Sequence, residues 1–207
     1  DYSNFELRII SEFADDPLWT RVFAEGRDLH SELCTRMFNI REDQVNDPFP
    51  LKKDLSYRHV QKTINFGLSY GMTEYKLGDI LDIPTREARK LINTFFSIIP
   101  RVKLMLTIWA HAATSRGYIR TAPPYRRIRW FPKWKEKEEE MEMYAKASIE
   151  REAKNTVPQG SNGDCIKEAL CLVQEAIDDN NYPARIVLSV YDEIQTECEE
   201  EHYGDDL

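Results

Sequence analysis

The chain has 207 residues, a formal net charge of −8, and a composition of 42% hydrophobic and 31% charged residues. This composition is typical of a globular protein that buries a core, and the lack of any run of about 18 apolar residues excludes a membrane span. The cysteines are scattered without a Cys-x-x-Cys pair, which excludes a zinc site and a disulfide framework and favours a reducing cytosol.

The first third of the chain contains several helix starts. Residues 5–10 alternate in part between apolar and polar side chains, which predicts a strand leading into a helix. Asp16, followed by proline, predicts the start of one helix, and Asp28 predicts the cap of another. Residues 46–50 contain two prolines and predict a break.

Helices dominate the middle of the chain, and strands are predicted at both ends. Helices are predicted over residues 55–70, 85–98 and 102–116, with Gly71 as a suitable end for the first. The later predicted elements are strands at 118–121 and 127–131, helices at 136–156 and 164–178, and strands at 184–191 and 194–198.

A stretch rich in basic and aromatic residues lies near the predicted strands at 118–131. Its members are Arg120, Arg126, Arg127, Arg129, Lys133, Lys135 and Lys137, with Tyr125, Trp130, Phe131 and Trp134 between them. Nucleic-acid binding depends on local charge rather than on the net charge, so the acidic total does not exclude DNA. A solvated hairpin with a few packed rings explains the same pattern, and the composition therefore permits DNA binding without demonstrating it.

Two acidic centres lie near the predicted terminal strands. One contains Asp1, and the other contains Asp192 and Glu193 at the predicted turn between two strands. Strands from both ends can pair in one sheet and bring these carboxylates together. Phosphoryl transfer needs carboxylates that hold Mg²⁺, whereas a single aspartate at the end of a strand is more often an ordinary turn residue.

The predicted helix at 55–70 carries two cations followed by two rings at every fourth position. These residues are Arg58, Lys62, Phe66 and Tyr70. Cations bind phosphate oxygens and a ring stacks on a base, so the pattern suits a nucleoside triphosphate. The alternative is a helix with the rings in a core and the cations in solvent, but Gly67 inside the helix indicates close approach of a backbone or ligand.

These segments resemble the sequence motifs of family A DNA polymerases, the DNA polymerase I class. Asp1-Tyr2-Ser3-Asn4-Phe5-Glu6-Leu7-Arg8-Ile9 resembles motif A, Arg58-x-x-x-Lys62-x-x-x-Phe66-Gly67-x-x-Tyr70-Gly71 resembles motif B, and Val190-x-Asp192-Glu193 resembles motif C. Further matches are Gly26-Arg27-Asp28-Leu29-His30, Glu150-Arg151, Asn155 and Gln159-Gly160. The motifs occur in the family's order, and the resemblance extends from Asp1 to about Glu197.

The resemblance implies a metal-dependent catalytic centre. Asp1 and Asp192 would bind two Mg²⁺ ions, for which Mn²⁺ could substitute, with help from the backbone carbonyl of Tyr2. Lys62 would donate a proton to the leaving pyrophosphate. Glu193 would support the metal site or the primer end.

The resemblance also implies a binding site for the incoming dNTP. Arg58, Lys62 and His30 would hold the triphosphate, and Phe66 would pack against the sugar and base. Phenylalanine rather than tyrosine at this position implies discrimination against dideoxynucleotides. Glu6 would be the steric gate that occupies the space of a ribose 2′-OH.

Contacts with primer–template DNA are implied on both sides of this site. Tyr70 and Gly71 would border the templating base. Arg151, Asn155 and Gln159 would touch the minor groove near the terminal pair, and Tyr191 would contact a primer phosphate.

Three features depart from the family's pattern. Tyr191 stands where motif C usually has histidine, and Asn4-Phe5 replaces the more usual Gln-Ile. The matched span is also short, because the thumb, the first part of the palm and the exonuclease-like domain of a complete polymerase have no counterpart here.

The predicted fold class is α+β, with a right-hand palm and an all-helical fingers insert. The palm, over residues 1–18 and 118–207, would have an antiparallel sheet built from both ends of the chain. The fingers would occupy residues 19–117, with their nucleotide-binding helix at about 55–70.

The leading functional hypothesis is a template-directed DNA polymerase that uses primer–template DNA and dNTPs. The alternative is an inactive nucleotide- or DNA-binding fragment, or a split subunit whose partner chain supplies the thumb and upstream palm. A single-subunit RNA polymerase is disfavoured because Glu6 would block the 2′-OH. The expected location is the cytoplasm of a bacterium or a phage-infected cell, with an organelle as the alternative host compartment.

Overall fold

The computed structural model describes residues 4–131 and 139–200 of the chain. Its helices are α1 (Phe5–Ala14), α2 (Pro17–Ala24), α3 (Leu29–Phe38), α4 (Tyr57–Ser69), α5 (Glu74–Leu81), α6 (Thr85–Ile98), α7 (Pro100–Arg116) and α8 (Glu139–Asn180), with a 3₁₀ turn at Glu42–Gln44. Its strands are β1 (Pro48–Phe49), β2 (Lys52–Ser56), β3 (Tyr118–Arg120), β4 (Ile128–Trp130), β5 (Ala184–Val190) and β6 (Glu193–Cys198).

The strands of the described residues pair as antiparallel hairpins. β1 pairs with β2, β3 with β4 and β5 with β6. In the last hairpin Ala184 lies opposite Cys198 and Val190 opposite Glu193, with a bulge between Ile186 and Leu188. The mostly helical architecture with small antiparallel sheets confirms the α+β class.

Residues 5–10 form the first turns of α1, so the predicted strand at this position is wrong. Buried Leu7, Ile10, Ser11 and Ala14 recur at helical spacing, and this stripe packs against α7 and α8. The sheet expected from both ends of the chain is represented in the described residues by the β5–β6 hairpin alone. Residues 1–3 lie outside the described part.

The two helices predicted at 136–156 and 164–178 are one continuous helix, α8, with Pro158 in its interior. Pro158, Gly160 and Gly163 are unfavourable inside a helix, because proline removes a backbone donor and glycine weakens helices. Val157 before the proline and Ser161 and Ile166 after it are all buried, so tertiary packing supports the helix on both sides of this segment.

The middle of the chain is not all helical as predicted. The β1–β2 hairpin lies between α3 and α4, and its register slips between Pro48 and Phe49. The short helix α5 was also missed by the sequence analysis. By contrast, α6 has the predicted bounds, and α4 ends just before Gly71, whose φ is +81°.

One apolar core joins most of the helices, and it contains Leu33, Ile64, Leu81, Phe95 and Val157. Within residues 4–131 and 139–200, no single helix is long and apolar enough to cross a membrane. The helices α6 and α7 together have the required length and composition, but they meet at a bend of 103°.

The burial of side chains in this core predicts that alanine substitutions at two leucines differ in their effect on the free energy of unfolding. Leu33 is 0% exposed and Leu104 is 60% exposed. Leu33→Ala should lower the free energy of unfolding by about 2–5 kcal/mol because it leaves a cavity. Leu104→Ala should change that free energy by about 0.5 kcal/mol or less. Denaturant titration of both variants measures the difference, and equal effects would contradict the packing described for α3.

Candidate functional site

The carboxylate of Asp192 lies on a tight turn between β5 and β6, as predicted. Tyr191, the residue before it, has φ of +53° and is 88% exposed. Glu193 begins β6, and its Oε1 accepts a hydrogen bond from Gln195 Nε2 over 2.7 Å. The turn therefore presents the tyrosine ring to solvent and keeps the next two acidic residues partly covered.

The carboxylates of Glu6 and Asp192 interact electrostatically although they are far apart in sequence. Burial raises the pKa of Glu6, the negative charge of Asp192 raises it further, and a hydrogen bond from the Asn162 side chain opposes the rise. The first turn of α1 and the β5–β6 turn thus both contribute negative charge to this region. Asp1 and Tyr2 lie outside the described residues, and the described ones contain no group of three or more His, Cys, Asp or Glu suited to a metal ion.

A cavity of about 430 Å³ lies along one face of α4. Its lining includes Arg58, Lys62 and Phe66, the first three members of the predicted row. The other lining residues are Asn46, Ser56, His59 and Thr63. Two cations and a ring therefore share one concave surface.

The side chain of Arg58 is held by the N-terminal cap of α3. Its Nε donates to Asp28 Oδ2 over 2.8 Å, and the same oxygen accepts from the backbone N–H of Ser31 over 3.0 Å. Burial alone would raise the pKa of Asp28, but hydrogen bonds from Arg58 and Ser31 lower it to about 2. Asp28 therefore stays charged at neutral pH and fixes Arg58 at the cavity.

His30 lies behind Phe66 rather than on the cavity surface. It is 3% exposed, its ring centroid is 5.5 Å from that of Phe66, and its Nδ1 is 2.7 Å from Asn65 Nδ2. Burial lowers the pKa of His30 to about 4, and the charges of Arg58 and Lys62 act in the same direction while that of Asp28 opposes them. At neutral pH His30 is uncharged.

The C-terminal end of α4 packs against α8. The ring of Tyr70 is 6.3 Å from that of Phe66, and its buried hydroxyl has no hydrogen-bond partner in the described part of the chain. A Cβ at Gly71 would lie 3.1 Å from Arg151 Cγ. The absence of a side chain and the positive φ thus let the chain leave α4 directly alongside α8.

The predicted DNA-contacting residues follow one face of α8. Arg151, Asn155 and Gln159 are spaced four residues apart, the first and last exposed and the middle one half-buried. Asn155 Oδ1 is buried without a partner among the residues described. Gln159 borders a second cavity of about 490 Å³ between α8 and the β3–β4 hairpin. Among these predicted contacts, the structure places Gly71 beside Arg151.

Comparison with known proteins identifies the family that shares these features. The sequence profile of DNA polymerase family A matches residues 1–205. The chain belongs to DNA polymerase family A. The thermostable DNA polymerase I of Thermus aquaticus is 33% identical over 204 residues, which cover 97% of this chain and 22% of that protein. DNA polymerase I of Geobacillus stearothermophilus is 30% identical over 201 residues, which cover 97% of this chain and 21% of that protein.

A solved family A structure has the same fold. The POL domain of Pol1 from M. smegmatis, in complex with DNA primer-template and dNTP, matches with a TM-score of 0.84 and 32% identity, over 99% of this chain and 34% of that chain. The chain thus spans about a fifth of the length of the curated polymerases and about a third of the solved domain.

Several residues around the candidate site were not singled out as functional from the sequence. Asp28 was interpreted as a helix cap, and its ion pair with Arg58 depends on the packing of α3 against α4. Gln61 and Asn65 received no role, although two amides one turn apart on a helix with buried neighbours are an unusual pattern. Asn162 gave no signal, because its contact with Glu6 joins distant segments.

The pKa of His30 predicts a pH dependence of stability. A histidine with a folded pKa of about 4 and an ordinary value of 6.5 favours the folded state when it is neutral. The neutral ring contributes about 1–3 kcal/mol to the free energy of unfolding. This contribution is complete above about pH 6.5 and is lost as the pH falls toward 4. His30→Gln should flatten this decline in denaturant titrations between pH 7 and 4. Parallel curves for the two proteins would contradict the buried, neutral state.

Proposed function

We propose that the chain forms the fingers and part of the palm of a template-directed DNA polymerase. In the proposed reaction the primer 3′-OH attacks the α-phosphate of a dNTP, the bond to the β-phosphate breaks, and pyrophosphate leaves. The observation that carries the proposal is the cavity shared by Arg58, Lys62 and Phe66 in a chain of this family. Residues 19–117 would be the fingers, and residues 1–18 and 118–207 the palm.

The cations of α4 would bind the triphosphate. Asp28 occupies the Nε of Arg58, and no hydrogen bond to the terminal amino groups of Arg58 occurs within the described residues. Those amino groups are therefore available to phosphate oxygens in a charge-assisted contact. Lys62 is exposed at the same cavity, where it would bind phosphate and give a proton to the leaving pyrophosphate.

Two side chains would select the sugar of the nucleotide. Phe66 lines the cavity and would pack against sugar and base, and its lack of a hydroxyl implies discrimination against dideoxynucleotides. Glu6 is half-buried and restrained by Asn162 beside Asp192. A carboxylate held there would fill the space that a ribose 2′-OH needs.

Asp192 and its surroundings fit a divalent cation. Its charge raises the pKa of nearby Glu6, and a cation would relieve this repulsion between carboxylates. Asp192 would hold the metal together with Asp1 and the carbonyl of Tyr2, while Glu193 would support the centre. Two Mg²⁺ ions, or Mn²⁺ as a substitute, would when bound supply charge neutralisation at the reacting oxygens.

Primer–template DNA would lie across the α4–α8 contact. Tyr70 and Gly71 would border the templating base, and Arg151, Asn155 and Gln159 would follow the minor groove. Tyr191, with its exposed ring, would contact a primer phosphate. Cytoplasmic DNA synthesis is the proposed setting.

The alternative is that the chain is one part of a polymerase and needs a second chain for catalysis. The chain spans about a fifth of the curated polymerases, so a thumb and upstream palm could be supplied by a partner. In that case the chain would bind nucleotide and DNA without extending a primer alone.

Primer extension tests the proposed activity. The purified chain with Mg²⁺, primer–template and four dNTPs should extend the primer, and Asp192→Ala should reduce the rate by at least about 100-fold because a metal ligand is lost. Glu199→Ala, an exposed position after β6, is the matched acidic control and should retain the rate. Binding of DNA without extension would favour the two-chain alternative, and extension by Asp192→Ala would contradict the role of this carboxylate.

Ribonucleotide use tests the steric gate. Glu6→Ala should incorporate rNTPs at least about 100-fold more efficiently than the parent, because the 2′-OH is no longer excluded. The ratio of kcat/KM for dATP and ATP measures the change under the same extension conditions. Equal use of the two nucleotides by the parent would rule out the gate.

A further inference from the structure

Gly71, just beyond the end of α4, lies against the side-chain stems of two cations of α8. A Cβ added at Gly71 would lie 3.1 Å from Arg151 Cγ and 3.4 Å from Lys154 Cδ. Arg151 and Lys154 are three residues apart on α8, so they share one side of that helix. Both contacting atoms belong to the apolar part of the side chain, and the charged ends extend beyond the contact.

Neither of these cations is neutralised by a neighbouring side chain. Within residues 4–131 and 139–200, the side chains of Arg151 and Lys154 form no ion pair or hydrogen bond. Arg129, which also reaches α8, is by contrast paired with Glu152. The two cations at Gly71 therefore keep their donors free for an anion from outside this part of the chain.

The surroundings of Lys154 are unfavourable for an isolated positive charge. Lys154 is half-buried, and this burial lowers the pKa of its amino group, while the charge of Glu150 opposes the fall and that of Arg151 adds to it. The buried side-chain atoms without a partner include Asn155 Oδ1 but not the amino group of Lys154. This amino group is thus open to solvent, and an anion beside it would favour the charged form.

We propose that Lys154 binds a phosphate of the template strand, next to the nucleotide whose base Gly71 borders. The identity of the ligand rests on the proposed function, which places the templating base at Tyr70 and Gly71. Lys154 supplies charge to the strand backbone, and the lack of a side chain at Gly71 lets the lysine stem lie against the end of α4. The contact therefore links the position of the template strand to that of α4.

Packing alone is the competing explanation for Lys154. A lysine can cover a neighbouring segment with its stem and leave its amino group in water, in which case the charge has no function. Lys154→Met keeps an unbranched stem against Gly71 and removes only the charge. Lys154→Arg keeps the charge on a different stem, so the two variants separate the two explanations.

The salt dependence of DNA binding measures the role of the charge. The Kd of the full chain for primer–template DNA is determined by fluorescence anisotropy between about 50 and 200 mM NaCl. Lys154→Met should raise Kd about three- to tenfold and reduce the slope of log Kd against log salt by about one, because one phosphate contact is lost. Lys154→Arg should retain the parent slope. A parent slope in Lys154→Met would overturn the proposal.

Lys167→Met is the matched control. Lys167 is an exposed lysine of the same helix, 13 positions further along the chain, which places it about 220° around the helix from Lys154. Its replacement removes the same charge from the far side of α8 and should leave the slope unchanged. Equal losses of slope in the two variants would indicate a general effect of net charge and overturn the specific contact.

Uncharged methylphosphonates identify the strand. Replacement of one template phosphate beside the templating base should raise Kd at least about threefold for the parent and have no further effect on Lys154→Met. Replacements in the primer strand should instead add to the effect of Lys154→Met. Additive effects at every template position would overturn the proposal.

The proposed polymerase activity fails in a different way. A parent chain that binds primer–template with the Lys154-dependent slope but extends no primer would retain this contact and lose the proposed catalysis. A parent chain that binds no primer–template DNA would overturn both.

Discussion

Burial of the inward face of α4 is the constraint on which the candidate site depends. Val60, Ile64 and Leu68 are at most 3% exposed, and each such side chain stabilises the fold by about 1.5–3 kcal/mol when it leaves water. Arg58, Lys62 and Phe66 precede them by two residues each, a rotation of about 200°, and therefore lie on nearly the opposite face of the helix. Packing of the apolar row fixes the orientation of the charged one.

The electrostatic environment differs sharply between neighbouring residues of α3. Asp28 remains ionised because Arg58 and Ser31 donate to it, whereas His30 is held neutral by burial. The first interaction places a positive charge at the cavity, and the second avoids adding another. The α3–α4 interface thus combines apolar packing with polar contacts that suit an anionic ligand.

Local signals allowed much of the fold to be predicted. Asp28 and Gly71 mark helix ends, and the turn at Asp192 follows a clear strand pattern. Residues 5–10 were misassigned because a short segment fits both strand and helix periods, and only packing against α7 and α8 decides between them. The continuation of α8 through Pro158 likewise depends on tertiary burial.

The site could be predicted only where its pattern lies within one element. The row on α4 is visible in the sequence because four residues separate its members. Contacts such as Arg58 with Asp28, or Glu6 with Asp192, join segments that are distant along the chain, and sequence spacing does not specify them. The roles of Asp1 and Tyr2 stay predictions, since these residues lie outside the described part.

The continuity of α8 has a geometric consequence for the elements that it connects. A helix of 42 residues is about 63 Å long, and it passes Gly71 at Arg151 before it reaches the β5 strand. It thus sets the distance between Gly71, which follows α4, and the turn that carries Asp192. One residue inserted after Gln159 would advance the hairpin by about 1.5 Å and rotate it by about 100°, so a change of length in this segment would displace the turn that carries Asp192.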